Sequence, residues 1–165
     1  TMQVNAADVK CDTDDYNEAR AHAWKYFELH AAQRMTLFNF FSAFSGLILA
    51  GIGTTLQVSS KYAFVTIALG LVLSLISFVF WKLDQRVSFL VKHAEEIHIE
   101  IEALTRSHFK LFTDEPEKYR LTKKSRGWFV NPWTYGQSSR LLFAAMAITG
   151  LLTAAFSSAR LVGLI

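Results

Sequence analysis

Charged residues vanish from three stretches of this chain and crowd into the rest. Residues 35–60 hold no Asp, Glu, Lys, Arg or His, and neither do residues 62–81 or 141–159. A helix needs roughly 17–25 apolar residues to cross the hydrocarbon core of a bilayer, and each stretch meets that length. Long helices buried inside small soluble proteins seldom stay uncharged for so long, so lipid is the expected solvent. The pattern predicts an all-α integral membrane protein with transmembrane helices over 36–58, 62–81 and 141–160. The link at 59–61 is so short that the first two spans form a tight helical hairpin. Residues 1–35 precede them as a polar segment of good helix formers, so no secretory signal peptide is expected.

The polar regions are periodic too. Asp15 followed by Glu18 is a helix-capping signal. Tyr16, Ala19, Ala23, Tyr26 and His30 then repeat at intervals of three and four, as on one face of a helix leading into the first span. After the second span, Leu83, Val87, Leu90, Ala94, Ile97, Ile101 and Leu104 form a heptad seam, with Lys92, Glu95, Glu96 and Glu102 off it. No Gly or Pro interrupts the chain between Gly70 and Pro116, so this helix is expected to continue through 82–112. About 50 residues at ~1.5 Å each would make a rod of roughly 75 Å. The two extensions leave a hairpin and therefore run antiparallel, forming a stalk within one chain or between several. Beyond Pro116 the segment 113–140 is expected to be irregular, basic and aromatic, punctuated by Asn131-Pro132 and Gly136. Ser138 or Ser139 is the expected cap of the third span.

Charge orients these elements. Of 17 Lys and Arg, all but Lys61 and Arg160 lie before the first span or between the second and third. That bias places the N-terminus and the 82–140 region in the cytoplasm, and the C-terminus outside. Trp81, Trp128, Trp133 and Tyr135 match an aromatic belt at the inner interface. Cys11, the single cysteine, lies on the reducing side and reads as a spectator thiol.

Candidate chemistry is sparse. Glu95-x-x-His98, with His93 and Glu102 nearby, is half of a di-metal bundle motif, which needs a second such helix and two more Glu. The chain has one copy, and solvated helix charges explain it as well. No phosphate loop, zinc-protease motif, Cys pair or nucleophile–base pair occurs. Neither enzyme activity, metal nor cofactor is expected. The spans carry no ionisable group at depth, but small and hydroxyl residues recur: Asn39, Ser42 and Gly46, then Thr66, Gly70, Ser74 and Ser77, then Gly150, Thr153 and Ser157. Close helix packing is one reading. The other is a pore lined by Asn39, Ser42 and Gly46, with Phe38 and Phe41, beside Phe40 and Phe44, as a gate that closes by dewetting. One three-span protomer is a thin wall, which favours a homo-oligomer. The basic–aromatic segment has two readings as well. It anchors to lipid headgroups, or it binds a nucleotide or short single-stranded nucleic acid. In the second case Lys118, Arg120, Lys123, Lys124 and Arg126 neutralise phosphates, and Trp128 and Trp133 stack on bases.

The run Tyr26-Phe27-x-x-His30-Ala31-x-Gln33-Arg34-Met35-x-x-Phe38-Asn39-Phe40-Phe41 resembles the start of small membrane proteins of bacterial anti-phage operons. The hairpin followed by a long cytosolic helix resembles the SLATT-type effectors, and membrane effectors of the Hailong type, opened by an oligonucleotide, are similar too. The likeness covers about the first two thirds of the chain; the third span departs from the two-span SLATT layout. It implies a pore-forming effector that depolarises the infected cell on a cytosolic nucleotide signal, made by an enzyme of the same operon. The expected function is a homo-oligomeric channel of the bacterial inner membrane, gated from the cytosol. The alternative is a membrane-anchoring scaffold that recruits a cytosolic partner through its stalk.

Overall fold

The computed structural model describes the backbone of residues 6–58, 60–104, 110–124 and 133–163, and the side chains of 15–58, 61–104, 110–121 and 133–163. All regular structure among them is helical: α1 (Ala6–Val58), α2 (Ala63–Leu104), α3 (Leu111–Lys124) and α4 (Tyr135–Leu161), with a 3-10 turn at Ser60–Tyr62 joining the first two. Helices α1, α2 and α4 are long and apolar enough to cross a membrane. The chain divides into two compact units. An apolar unit comprises the described parts of Gln33–Ser88 and Trp133–Ile165, and a polar unit those of Thr1–Ala32 and Phe89–Pro132.

In the apolar unit, α1 and α4 run parallel and α2 runs antiparallel to both. Phe41 packs on Phe143 of α4, with ring centroids 4.6 Å apart, and on Phe80 of α2 at 5.5 Å. Nearer the hairpin, the Thr66 hydroxyl meets that of Thr55 at 2.9 Å. Helices α2 and α4 approach at Gly70 and Gly150. A methyl group on Gly70 would sit 2.6 Å from the Gly150 carbonyl oxygen, and one on Gly150 would collide with the Gly70 carbonyl. Ser74 donates across the same contact to the Ala147 carbonyl at 2.9 Å. Ser45, Thr66, Ser77, Ser139 and Ser157 are buried, whereas Leu47, Phe64, Leu75 and Leu152 are exposed. Inward hydroxyls mostly donate to carbonyls of their own helix, as Ser45 does to Phe41 and Ser77 to Leu73, both at 2.7 Å. This arrangement inverts a water-soluble core, where exposed large apolar surfaces stay small.

In the polar unit, α1 and α2 pack antiparallel. The Tyr16 hydroxyl donates to the Ile101 carbonyl at 3.1 Å, and Trp24 and Phe27 both pack on His98. Along α2 as a whole, the buried line after the second span differs from the expected apolar seam. Asp84 and Val87, in the apolar unit, and Val91, Ala94 and His98, in the polar unit, are buried, while Leu83 and Leu104 are exposed. Their spacing of three, four, three and four is still a heptad, rotated so that a carboxylate and an imidazole take core positions. Both are enclosed by specific neighbours, which hydrophobicity alone does not reveal.

Three boundaries depart from expectation. Helix α1 begins at Ala6, upstream of the Asp15–Glu18 signal, because nothing in 6–14 breaks a helix. Helix α2, described as far as Leu104, does not run on to Phe112, because Lys110 lies outside any helix and a new one starts at Leu111. A separate helix, α3, then runs straight through Pro116. Proline lacks an N–H and crowds the preceding turn, and as the sixth residue of α3 Pro116 leaves the Phe112 carbonyl without its usual intrahelical donor. Finally, Thr134 caps α4, not Ser138 or Ser139. Its hydroxyl accepts from the Gln137 N–H, and the Gln137 side chain accepts from the Thr134 N–H, a reciprocal capping box.

Candidate functional site

One end of the apolar unit carries a buried polar knot. Arg34 of α1 donates from Nε to Oδ1 of Asp84 at 2.9 Å and from Nη2 to Oδ2 at 3.3 Å. Its side chain is 14% exposed and that of Asp84 only 5%. Ser139 of α4 donates to the same carboxylate at 3.3 Å. The guanidinium also lies over the Tyr135 ring, 4.7 Å from its centroid. Three helices thus converge on one carboxylate, whose oxygens accept from two of them. A bidentate Arg–carboxylate pair is geometrically demanding, and removing one partner strands the other charge. Asp84 is not among the candidates read from the sequence, and Arg34 enters there only as an orienting charge and as part of the run that resembles anti-phage membrane proteins. The one available signal is their matched placement just before the first span and just after the second.

The pore candidates divide by exposure. Asn39, Ser42 and Gly46 all lie on the exposed side of α1. The Ser42 hydroxyl donates to the Phe38 carbonyl at 2.9 Å. Of the gate candidates, Phe38 is half-buried against Tyr135, with centroids 5.8 Å apart, and Phe41 is fully buried in the three-helix core. The exposed rings are Phe40 and Phe44, stacked at 6.3 Å.

The ligand candidates lie mainly along α3. Lys118 and Arg120 are exposed, and Lys118 lies 3.4 Å from the Asp114 carboxylate. Lys123 and Lys124 fall within the backbone of α3, but their side chains lie outside the described residues, as do Arg126 and Trp128 entirely. Trp133 is exposed immediately before the α4 cap.

What holds α3 in place was not foreseen. Glu102, near the end of α2, accepts from the backbone N–H groups of Phe112 and Thr113 at 3.1 and 2.9 Å, and from the Thr113 hydroxyl at 2.9 Å. It caps a helix to which it does not belong, satisfying donors that a first turn leaves open. Partial desolvation pushes its pKa up. The N–H groups of Phe112, Thr113 and Leu111 and the Thr113 hydroxyl outweigh that effect, so the carboxyl titrates below its ordinary range. Phe112 then stacks on His98, centroids 4.7 Å apart and planes 12° apart, and meets Phe27 edge-on at 5.6 Å. His98 therefore sits in a box of Trp24, Phe27 and Phe112, its Nε2 buried without a hydrogen-bond partner. Among the described residues no group of three or more His, Cys, Asp or Glu is placed to hold a metal ion, and Glu95-x-x-His98 does not form one.

No protein-family model and no solved structure matches the chain. Its sequence is 44% identical over 146 residues to CD-NTase-associated protein 19 of Escherichia coli, covering 86% of this chain and 91% of that protein. The chain belongs to that family. At this coverage the likeness includes residues of both units. The family's name records an association with a CD-NTase and assigns no residue.

Proposed function

We propose that this protein is a membrane effector of CBASS anti-phage defence: a homo-oligomeric inner-membrane channel opened by a nucleotide or oligonucleotide made by its associated CD-NTase. Opening would depolarise the infected cell. The observation that carries this reading is the apolar exterior of the three-helix unit in a member of a CD-NTase-associated family. Such a surface has its natural solvent in lipid, where every backbone group must be satisfied within the helices. The distribution of Lys and Arg supports a cytoplasmic N-terminus.

The exposed position of Asn39 supports a conduit between subunits. A carboxamide directed at lipid costs free energy, whereas one facing water or a second copy does not. Ser42 and Gly46 share that face, and the exposed pair Phe40 and Phe44 supplies a dewetting constriction beside it. Phe41 serves the protomer's own core, and Phe38 steadies Tyr135. Asp114, Glu115 and Glu117 offset three of the four cations of α3 by number, and Arg120, Lys123 and Lys124 in its C-terminal half are the charges left to draw an anionic ligand.

The test is ion flux from liposomes containing purified full chain. Flux is expected only when the CD-NTase product pool is added on the face bearing the N-terminus. Absence of flux with every cytosolic nucleotide and oligonucleotide pool would overturn the reading. The scaffold alternative draws on the exposed Leu111 and Leu121 of α3, which offer apolar contacts to a cytosolic partner. It predicts partner capture without conductance. Charge reversal at Glu102 is a poor probe of it, because that carboxylate caps α3.

A further inference from the structure

The polar unit contains a cleft of about 540 Å³ that none of the expected ligand residues lines. Its walls come from two faces. Glu18, His22 and Tyr26 lie four residues apart on α1, and His93, Ala94 and Ile97 face them from α2. The space exists because the positions between those side chains are Ala19, Ala23 and Ala94. Larger side chains there would fill the cleft. Its volume falls in the range of small-molecule sites, roughly 300–1,000 Å³.

The wall chemistry narrows the occupant. Three of the lining groups are flat rings: two imidazoles and a phenol. Two of the three are held by neighbours. His93 is stacked on Phe89, with planes 5° apart, and its Nδ1 lies 3.9 Å from Glu96. Tyr26 meets His30 edge-on at 4.3 Å. Among the described residues, Glu18 is the one carboxylate that lines the cleft, and neither Lys nor Arg does. A phosphate inside would meet a like charge with no cation to offset it. A neutral planar heterocycle would instead stack on the rings, as bases do on aromatic platforms. A carboxylate only accepts hydrogen bonds, and does so best from two adjacent donors. Among the common bases, guanine alone offers two neighbouring N–H donors on its pairing edge, at N1 and the 2-amino group. Adenine offers one donor beside an acceptor.

We propose that this cleft is a guanine-base pocket, with Glu18 reading the pairing edge and His22, Tyr26 and His93 forming the stacking walls. The phosphates of the nucleotide remain outside it, in reach of solvent and of cations elsewhere. This rests on the nucleotide-gated reading above and assigns that ligand its base.

Equilibrium dialysis of the full chain in detergent, with guanosine, guanosine 5′-monophosphate and adenosine as probes, tests it. Guanosine and its monophosphate are expected to bind comparably, and adenosine at least about tenfold more weakly, since a site built for hydrogen bonds rejects a ligand that leaves them unmade. Glu18→Gln should erase that preference, and Ala19→Phe, at an exposed rim position, should abolish binding with helicity unchanged. Equal binding of guanosine and adenosine, no binding of either, or a preference that survives Glu18→Gln overturns the pocket. Filling of the cleft by a second copy, seen as loss of oligomer in Ala19→Phe without nucleoside binding, overturns it as well. If the CD-NTase product pool opens wild-type and Ala19→Phe liposomes alike, the pocket falls and the channel reading stands. If guanosine binds as stated but no pool produces flux, the channel reading falls and the pocket stands.

Discussion

The two units of this protein solve the same packing problem with opposite materials. In the apolar unit, helices meet through glycines, through hydroxyls bonded to backbone carbonyls and through one cluster of Phe41, Phe80 and Phe143, while many other large side chains point outward. In the polar unit, helices meet through Trp24, Phe27, His98 and Phe112, and a carboxylate closes a helix end. With lipid as the solvent of the apolar unit, as proposed above, the contrast has a simple origin. Water rewards burial of large apolar rings at roughly 25 cal/mol per Å². Lipid gives no such reward, so close backbone approach and internal hydrogen bonding remain. Each unit therefore has its own point of failure.

The largest effect is expected at the polar knot. Arg34→Ala leaves Asp84 as a buried, uncompensated charge and should cost about 3–5 kcal/mol in detergent unfolding. Arg34→Ala combined with Asp84→Ala should cost much less than the two single changes added together. Additive losses would show that the pair is not coupled. Next comes Gly150→Val, which must push α2 from α4 and should cost about 1–3 kcal/mol. A smaller effect, about 1 kcal/mol, is expected for removing either cap by Glu102→Gln or Thr134→Ala. Amide exchange should then rise in the first turn of α3 or of α4 respectively, and not in both.

Glu102 also makes its cap dependent on pH. Its carboxyl titrates below the ordinary value of 4.5, so the stabilisation is complete above that value and is lost as pH falls through the lowered one. Protection of the α3 amides should follow this curve in the wild type and become flat in Glu102→Gln. The smallest effect belongs to Thr149→Val. That hydroxyl only donates to its own helix on an exposed face, and about 0.5 kcal/mol or less is expected.

Much of this design was legible along the chain, and the missing parts share a cause. Absence of charge over three stretches is a property of composition, so the three long helices and the hairpin followed directly. The heptad of α2 was legible in period but not in phase. Asp84 and His98 look like surface residues until Arg34, Ser139 and an aromatic box are brought to them. Helix α3 was hidden because its N-terminal partner, Glu102, comes from the previous helix, and Pro116 looked like a stop. Among the candidate residues, spacing placed Asn39, Ser42 and Gly46 on one face of α1. It could not separate Phe41, buried between Phe80 and Phe143, from its exposed neighbours Phe40 and Phe44. Alanines gave no hint of a cleft, since an absent side chain matters only beside the helix that faces it.

The glycine contact between α2 and α4 has a consequence for any motion of the apolar unit. Sliding one helix by a single residue would bring Leu71 or Leu151 to a point where even a methyl group does not fit. The contact fixes the register of α2 on α4 at the level of backbone, whereas α1, the helix that carries both Asn39 and Arg34, meets them through the side chains of Arg34, Phe41 and Thr55.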